Sequence, residues 1–258
     1  LPDSVVKRVA LTDITVKRLQ TNATDSLAVG GIAGINEGTI EDCSVSGTVT
    51  GMENAGLAAG SNQGTITRCV TAGDVSGEAA GGIAGQNSEG VIADSAALAR
   101  SVTGTKNGRI TPEKDGTVTG CISWDGAGAG DVYETGKGLD QLKAAAAWPQ
   151  GLRAAPWHYT EGGVPSLAET GADLPVYIGG LSGVGTQTDP YRIGSWDDFL
   201  QFAESVKKGN SYEGKVVALS ADITMPAGGN WEPIEGFGGT FDGKQHRLTG
   251  LFIDRPEQ

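Results

Sequence analysis

A repeat with a step of 26 residues is the feature that most constrains how this chain can fold. Three kinds of residue recur in register along the first half of the chain. They are Gly38, Gly64, Gly90 and Gly116; Ile40, Ile66, Ile92 and Val118; and Cys43, Cys69, Ser95 and Cys121. Self-similarity at a fixed period of this size is typical of repeat architectures, in which each unit packs mainly on its neighbours.

Within each repeat, short apolar runs alternate with Gly or Asn-x-Gly. Such runs are too short for helices and suit strands, and Gly and Asn tolerate the positive φ that tight corners need. We therefore predict coils of three short strands and three corners, stacked about 4.8 Å apart as a parallel β-helix. Leucine-rich repeats need more leucine than these coils hold. Calcium-binding nonapeptide repeats are echoed only once, at Gly126–Tyr133.

Composition and charge exclude several classes of protein. Glycine supplies 42 of 258 residues without a strict triplet period, which excludes collagen and disfavours long helices. The net charge of −12 disfavours binding to nucleic acid. No apolar run is long enough for membrane insertion. The chain begins at Leu1 without methionine or signal peptide, so we expect a segment of a longer protein.

The phrase GGIAGxN-x-G-x-I-x-x-C/S, at Gly30–Cys43 and Gly81–Ser95, resembles the GLUG-motif repeat. The resemblance covers roughly residues 28–124. It implies a right-handed parallel β-helix and a place in bacterial surface proteins, or in the non-catalytic region of immunoglobulin-A1 metallopeptidases. Residues 131–168 resemble the closing segment of such a domain, and residues 184–253 resemble the opening segment of another. An extracellular or cell-surface location follows as an expectation.

Three regions are predicted. Residues 1–168 hold the coils and their closing segment, 169–183 form a linker, and 184–258 open a second β-helix unit. Two helices are expected to cover open ends of the coils. The first has an apolar face and stops at Pro149, and the second begins at Ser195 and ends at Gly209. The predicted apolar positions are Leu139, Leu142, Ala146 and Ala147 in the first helix, and Trp196, Phe199, Leu200, Ala203 and Val206 in the second.

The second unit holds only one or two coils' worth of strands after Gly214, whereas about three repeats are normally needed for a stable solenoid. We therefore predict that residues 184–253 do not stand alone. They cover the first coil of the same chain, or they meet the N-terminal coil of a neighbouring molecule end to end. The sequence leaves both alternatives open.

Two ladders of side chains are the candidates for chemistry. The three cysteines are predicted to be free and buried on stacked coils, rather than paired in a disulfide, because Ser95 occupies one rung. One position earlier, Asp42, Arg68 and Asp94 alternate in sign, which predicts an exposed ion ladder that controls register rather than a ligand patch.

No catalytic, cofactor-binding or metal site is predicted. The two histidines, His158 and His246, have no partner of metal-ligand spacing, and there is no HExxH. Gly238–Gln245 imitates a phosphate loop, but Gln245 replaces the required hydroxyl residue and a strand is expected to follow. The tryptophans are expected to pack the end segments rather than to bind sugar. They are Trp124, Trp148, Trp157, Trp196 and Trp231.

The sequence as a whole predicts a non-enzymatic spacer or adhesive stalk whose ligand, if it has one, is a host protein or a glycan. The alternative is a glycan-binding or polysaccharide-cleaving β-helix of the pectin-lyase kind. That class needs clustered carboxylates for calcium and a basic residue in a groove, whereas the carboxylates of these coils are isolated in the sequence.

Overall fold

The computed structural model describes residues 2–18, 27–172, 174, 175, 178, 181, 185–188, 190–207 and 209–254. The chain divides into two compact units, Leu1–Asp173 (unit 1) and Leu174–Gln258 (unit 2). This division falls within the predicted linker 169–183, of which the described residues include only part. Strands dominate the regular structure, and all the sheets are parallel. The all-β class with parallel sheets is therefore confirmed.

Unit 1 is built from four parallel sheets that successive coils of the chain cross in turn. The first coil contributes β1 (Val5–Lys7) and β2 (Ala10–Lys17). The second contributes β3 (Val29–Gly30), β4 (Ala33–Asn36), β5 (Thr39–Glu41) and β6 (Ser44–Thr50). The third contributes β7 (Asn54–Gly56), β8 (Ala59–Asn62), β9 (Thr65–Thr67) and β10 (Val70–Ser76). The fourth contributes β11 (Ala79–Gly81), β12 (Ala84–Asn87), β13 (Val91–Ala93) and β14 (Ala96–Thr103). The last contributes β15 (Lys106–Gly108), β16 (Thr117–Thr119) and β17 (Ile122–Trp124), and β18 (Gly136–Lys137) follows.

The register of these sheets confirms the 26-residue step. Sheet A has the order β1-β5-β9-β13-β16, and its central rung stacks Val6, Ile40, Ile66, Ile92 and Val118. Sheet B has the order β2-β6-β10-β14-β17-β18, sheet C β3-β7-β11-β15, and sheet D β4-β8-β12. The three middle isoleucines of the rung are at most 1% exposed, so like residues on successive coils form the core.

Each middle coil has four strands, so the predicted count of three was wrong. The extra break separates sheet C from sheet D. There, two successive amides donate to a single carbonyl of the next coil: Ile83 N and Ala84 N both donate to Ile110 O, at 2.9 and 3.1 Å. The chain must turn where two adjacent amides reach one acceptor, and the short apolar run is therefore divided.

The repeated glycines serve close approach rather than positive φ, which corrects the prediction for this corner. A Cβ on Gly64 would collide with the carbonyl oxygen of Gly38 on the coil before it. The left-handed backbone lies four residues after each repeated glycine. There, φ is +51° at Asp42, +47° at Arg68 and +46° at Asp94.

The step departs from 26 residues where the corners differ in length. Asn62 pairs with Asn87, a step of 25, and the inserted Glu89, with φ +58°, restores the register before sheet A. In β14 the partner changes from Ala99 to Ser101 between successive residues, so Arg100 is an inserted bulge residue. One-residue insertions of this kind leave the apolar rungs of sheet A aligned.

The first predicted helix is broken into short pieces, which corrects the sequence analysis. Only Leu139–Leu142 is α-helical (α1), and 3₁₀ turns follow at Ala145–Ala147 and Gln150–Arg153; another lies earlier at Asp125–Ala127. The carbonyls that a longer helix would use are occupied by other donors. Trp148 Nε1 donates to Leu142 O at 2.8 Å, and Gly162 N donates to Lys143 O at 3.1 Å.

Unit 2 contains two further parallel sheets and one helix. Sheet E has the order β19-β20-β22 and sheet F pairs β21 with β23. The strands are β19 (Tyr191–Ile193), β20 (Val216–Leu219), β21 (Ile223–Thr224), β22 (Thr240–Asp242) and β23 (Leu248–Thr249), and the helix is α2 (Trp196–Lys207). The core of this unit is aromatic and includes Phe199, Phe202 and Tyr212.

Helix α2 begins as predicted, because Ser195 Oγ accepts a hydrogen bond from Asp198 N at 3.1 Å. Its end is also confirmed, since Gly209 has a φ of +98° and its amide bonds to Val206 O. The predicted apolar stripe needs one correction: Phe202 is 2% exposed and faces the core, whereas Leu200 is 38% exposed.

Candidate functional site

The first ladder inside unit 1 is made of asparagines, which the sequence analysis did not single out. Asn36 Nδ2 donates to Asn62 Oδ1 at 2.7 Å, and Asn62 Nδ2 donates to Asn87 Oδ1 at 2.8 Å. All three residues are buried. Each amide also reaches a backbone carbonyl of the corner that follows, so the ladder ties one coil to the next. Its sequence signal is Asn-x-Gly in two coils, which is lengthened by one residue in the third.

The cysteine ladder (Cys43, Cys69, Ser95 and Cys121) is free of disulfides and buried, as predicted. Its members also share a hydrogen bond. Each side chain donates to the carbonyl oxygen two residues earlier and so closes the left-handed corner between sheets A and B. The pairs are Cys43 Sγ with Glu41 O at 3.2 Å, Cys69 Sγ with Thr67 O at 3.3 Å, Ser95 Oγ with Ala93 O at 2.7 Å, and Cys121 Sγ with Thr119 O at 3.3 Å.

These thiols have little nucleophilic character. The contact with the Cys43 thiol, together with burial, raises the pKa of Cys69 well above its usual value. Burial raises the pKa of Cys121 to about 12. A thiol that stays protonated at neutral pH can donate to a carbonyl but is a poor nucleophile and metal ligand. The ladder is therefore built for packing and corner closure.

The predicted ion ladder is only partly formed. Arg68 Nε lies 2.7 Å from Asp42 Oδ1, and its Nη2 lies 3.0 Å from Glu41 Oε2. Among the described residues, Arg68 makes no ion pair with Asp94. Trp157 Nε1 donates to Asp42 Oδ1 at 3.2 Å across a separation of 115 residues. We call Glu41, Asp42, Arg68 and Trp157 the corner cluster.

Asp42 is buried rather than exposed, which corrects the prediction of a surface ladder. Its side chain is 7% exposed, because the closing segment lies across this corner. Gly151 of that segment packs so closely that a Cβ there would lie 2.7 Å from Arg68 Cδ. Burial raises the pKa of Asp42, but the hydrogen bonds from Arg68 and Trp157 outweigh it and hold the pKa below its ordinary value. Asp42 is therefore ionised and serves as an internal anchor.

A cavity of about 720 Å³ lies between the last coil and the closing segment. Its lining includes Cys121, Tyr133, Glu134, Lys137 and Trp148. The lining mixes apolar and polar groups, but the one thiol has a raised pKa and is 9% exposed. This arrangement supplies no activated nucleophile.

The two histidines lie in different units. His158 is exposed, and its backbone pairs with Ser166. His246 Nδ1 lies 3.1 Å from Asp222 Oδ1. Gly238–Gln245 is not followed by a helix: β22 and a turn with positive φ at Lys244 and Gln245 lead into β23. The strand expected after this glycine-rich loop is confirmed.

The tryptophans of unit 1 have no free face for a sugar ring. Trp124, Trp148 and Trp157 are each at most 7% exposed, and Trp124 belongs to β17 itself rather than to a covering segment. In unit 2, Trp196 and Trp231 stack on Phe199 with centroid distances of 5.6 and 5.1 Å. Packing in the end segments is thus confirmed for four of the five.

Within the ranges that the structure describes, no three His, Cys, Asp or Glu side chains come together in a way that could hold a metal ion. Neither helix of the described part of the chain is long and apolar enough to cross a membrane.

Comparison with known proteins adds one finding. Residues 25–50 match the family model of the GLUG motif. The match spans the second coil, including Asn36, Asp42 and Cys43, and is consistent with a GLUG-motif repeat protein. Neither the curated proteins nor the solved structures contain a significant match to this chain.

Proposed function

We propose that this chain is a non-catalytic module of a large extracellular bacterial protein. In the proposal, unit 1 winds as a right-handed parallel β-helix and acts as a rigid spacer, or as a stalk that presents a surface to a host protein or glycan. The observation that carries the proposal is the unbroken rung from Val6 to Val118, which passes through five coils in register.

The internal ladders support a mechanical role. Asparagine amides join adjacent coils, and cysteine or serine side chains close each corner. Polar groups that bond within the stack fix its register, because a slipped coil would leave buried amides unsatisfied. Five coils spaced by about 4.8 Å give a stack about 24 Å tall whose coils cannot bend independently.

The GLUG match supports the extracellular and bacterial parts of the proposal only through what that motif implies. The corner cluster supports the non-catalytic part, because its one buried carboxylate is already engaged by Arg68 and Trp157. A general base must be free to reach a substrate proton, and Asp42 is not.

The test is a pair of assays on the full chain, namely binding to a glycan array and cleavage of uronate polysaccharides, each with and without calcium. We expect no cleavage under either condition. A stalk would retain specific glycans or host proteins, whereas a pure spacer would retain none. Cleavage of a uronate polymer that depends on calcium would overturn the proposal in favour of a pectin-lyase-like enzyme.

A further inference from the structure

The exposed apolar side chains are concentrated in the first coil of unit 1 and the last coil of unit 2. Of the nine large apolar side chains exposed in the described part of the chain, six belong to these coils. They are Val5 and Val6 in the first coil, and Phe241, Leu251, Phe252 and Ile253 in the last. Exposed patches rimmed by polar residues mark interaction sites more often than chance placement does.

Both coils also end a sheet. Among the described residues, β1 is the outermost strand of sheet A and β22 is the outermost strand of sheet E. An outermost strand presents unpaired N–H and C=O groups that can pair with another strand. The strands of both sheets follow chain order, so β1 lies at the early end of its stack and β22 at the late end.

The residues at these edges belong to the same kind of rung. Gly239-Thr240-Phe241-Asp242 has the pattern of Gly38-Thr39-Ile40-Glu41 in β5. Phe241 is the last rung of the ladder Tyr191–Val217–Phe241, and its exposure is 36%, against none for Val217. Val6 is the first rung of its own ladder and is 37% exposed, whereas Ile40 beside it is 1% exposed.

We propose that the late end of unit 2 binds the early end of unit 1 of a second copy of this chain, so that β1 adds to β22 as a parallel strand. The register that β1 keeps with β5 would place Val5 on Thr240, Val6 on Phe241 and Lys7 on Asp242. The contact is heterologous, so it propagates head to tail into a longer rod. It rests on the proposed stacked-coil architecture and supplies its partner.

Charge favours this pairing. The first coil, residues 2–18, carries four basic and two acidic residues, although the chain as a whole has a net charge of −12. The last coil, residues 231–254, carries four acidic and two basic residues. Complementary patches of this kind align partners and disfavour the contact of like ends.

Sedimentation velocity of the full chain over a concentration series tests the proposal. We expect the wild type to form dimers and longer species as concentration rises. Val6→Asp and Phe241→Asp should each raise the dissociation constant at least about 10-fold, because each buries a charge in an apolar contact. Ile35→Asp is the matched control, since Ile35 is 44% exposed on β4, away from the two edges, and should leave association unchanged. Phe252→Asp, at a side chain that is 58% exposed, repeats the test should Phe241→Asp fail to fold.

A mixture of two variants decides the geometry. Val6→Asp keeps an intact late end and Phe241→Asp keeps an intact early end, so the mixture should form one-to-one dimers although each variant alone does not. A wild type that stays monomeric at every concentration would overturn the proposal, as would a mixture that fails to dimerise, including the case where the two ends of one chain close on each other. A uronate-cleaving activity would overturn the proposed function and leave this association intact.

Discussion

The interior of unit 1 and that of unit 2 are filled by different kinds of side chain. Unit 1 stacks isoleucine, alanine, cysteine and asparagine in ladders, with one residue from each coil. Unit 2 packs aromatic rings, such as Phe202, which lies 5.3 Å from Tyr212 and 5.2 Å from Phe237 between ring centroids. Ladders of directional hydrogen bonds specify which coil follows which, whereas an aromatic cluster fills the end of a short stack with no repeat to specify.

The largest expected effect comes from the aromatic side of this comparison. Phe202→Ala should lower the free energy of unfolding of unit 2 by about 3–5 kcal/mol, because it leaves a cavity at the centre of the cluster. Hydrogen exchange by mass spectrometry should show the loss in peptides of unit 2 while peptides of unit 1 stay protected. Leu200→Ala on the same helix is the control. Equal losses in the two variants would contradict the assignment of Phe202 to the core.

The ladder side is broken most strongly at Asn62. Asn62→Ala should destabilise unit 1 by about 2–4 kcal/mol, because the side chains of Asn36 and Asn87 each lose a buried partner. The same exchange experiment should now show the loss in unit 1. The neighbouring Gln63 is exposed, and Gln63→Ala should change little. A variant of Asn62 as stable as that control would mean that the ladder does not hold the coils.

The corner cluster predicts a dependence on pH. Arg68→Met should cost about 2 kcal/mol at neutral pH, because it leaves Asp42 buried with only Trp157 as a side-chain partner; partial exposure of Arg68 reduces the cost. The pKa of Asp42 is lowered in the folded state, so its stabilisation is present above the unfolded pKa of about 4 and is lost as pH falls through the folded pKa.

Urea unfolding at a series of pH values checks this prediction. The difference between wild type and Arg68→Met should be largest near neutral pH and should shrink below about pH 4. Arg68→Lys keeps the charge without the fork and should fall between the two. A difference that does not change with pH would indicate that Arg68 acts through packing alone.

The smallest expected effect separates size from hydrogen bonding in the cysteine ladder. Ser95→Cys keeps a donor toward Ala93 O and should change stability by less than about 1 kcal/mol, whereas Ser95→Ala loses this bond and the one from Cys69 N and should cost about 1–2 kcal/mol. Thermal unfolding of both variants gives the comparison. The reverse order would mean that the rung needs only a small side chain.

The sequence predicted the parts of the fold that depend on identical residues at a constant step. Ile40, Ile66 and Ile92 recur at 26 residues because each must lie on the one before, so their stacking could be inferred directly. The start of α2 was equally accessible, because Ser195 is a local N-cap signal.

The remaining features depend on contacts that no local pattern encodes. The left-handed φ of Arg68 has no residue preference that would reveal it. The bond from Trp157 to Asp42 joins residues 115 apart, and α1 ends early because Trp148 takes a carbonyl that the helix would need. The asparagine ladder was present in the sequence, but its step changes from 26 to 25 between Asn62 and Asn87, and a search at a fixed period misses it.

The most direct test of the account is a set of amide-to-Hα nuclear Overhauser contacts measured on the isotope-labelled full chain. Parallel coils in register predict contacts that link Thr39, Thr65, Val91 and Thr117 in sequence, and contacts between Asn62 and Asn87 at the shorter step. Contacts of an antiparallel pattern, or between residues separated by other steps, would contradict the stacked-coil architecture on which the proposed function rests.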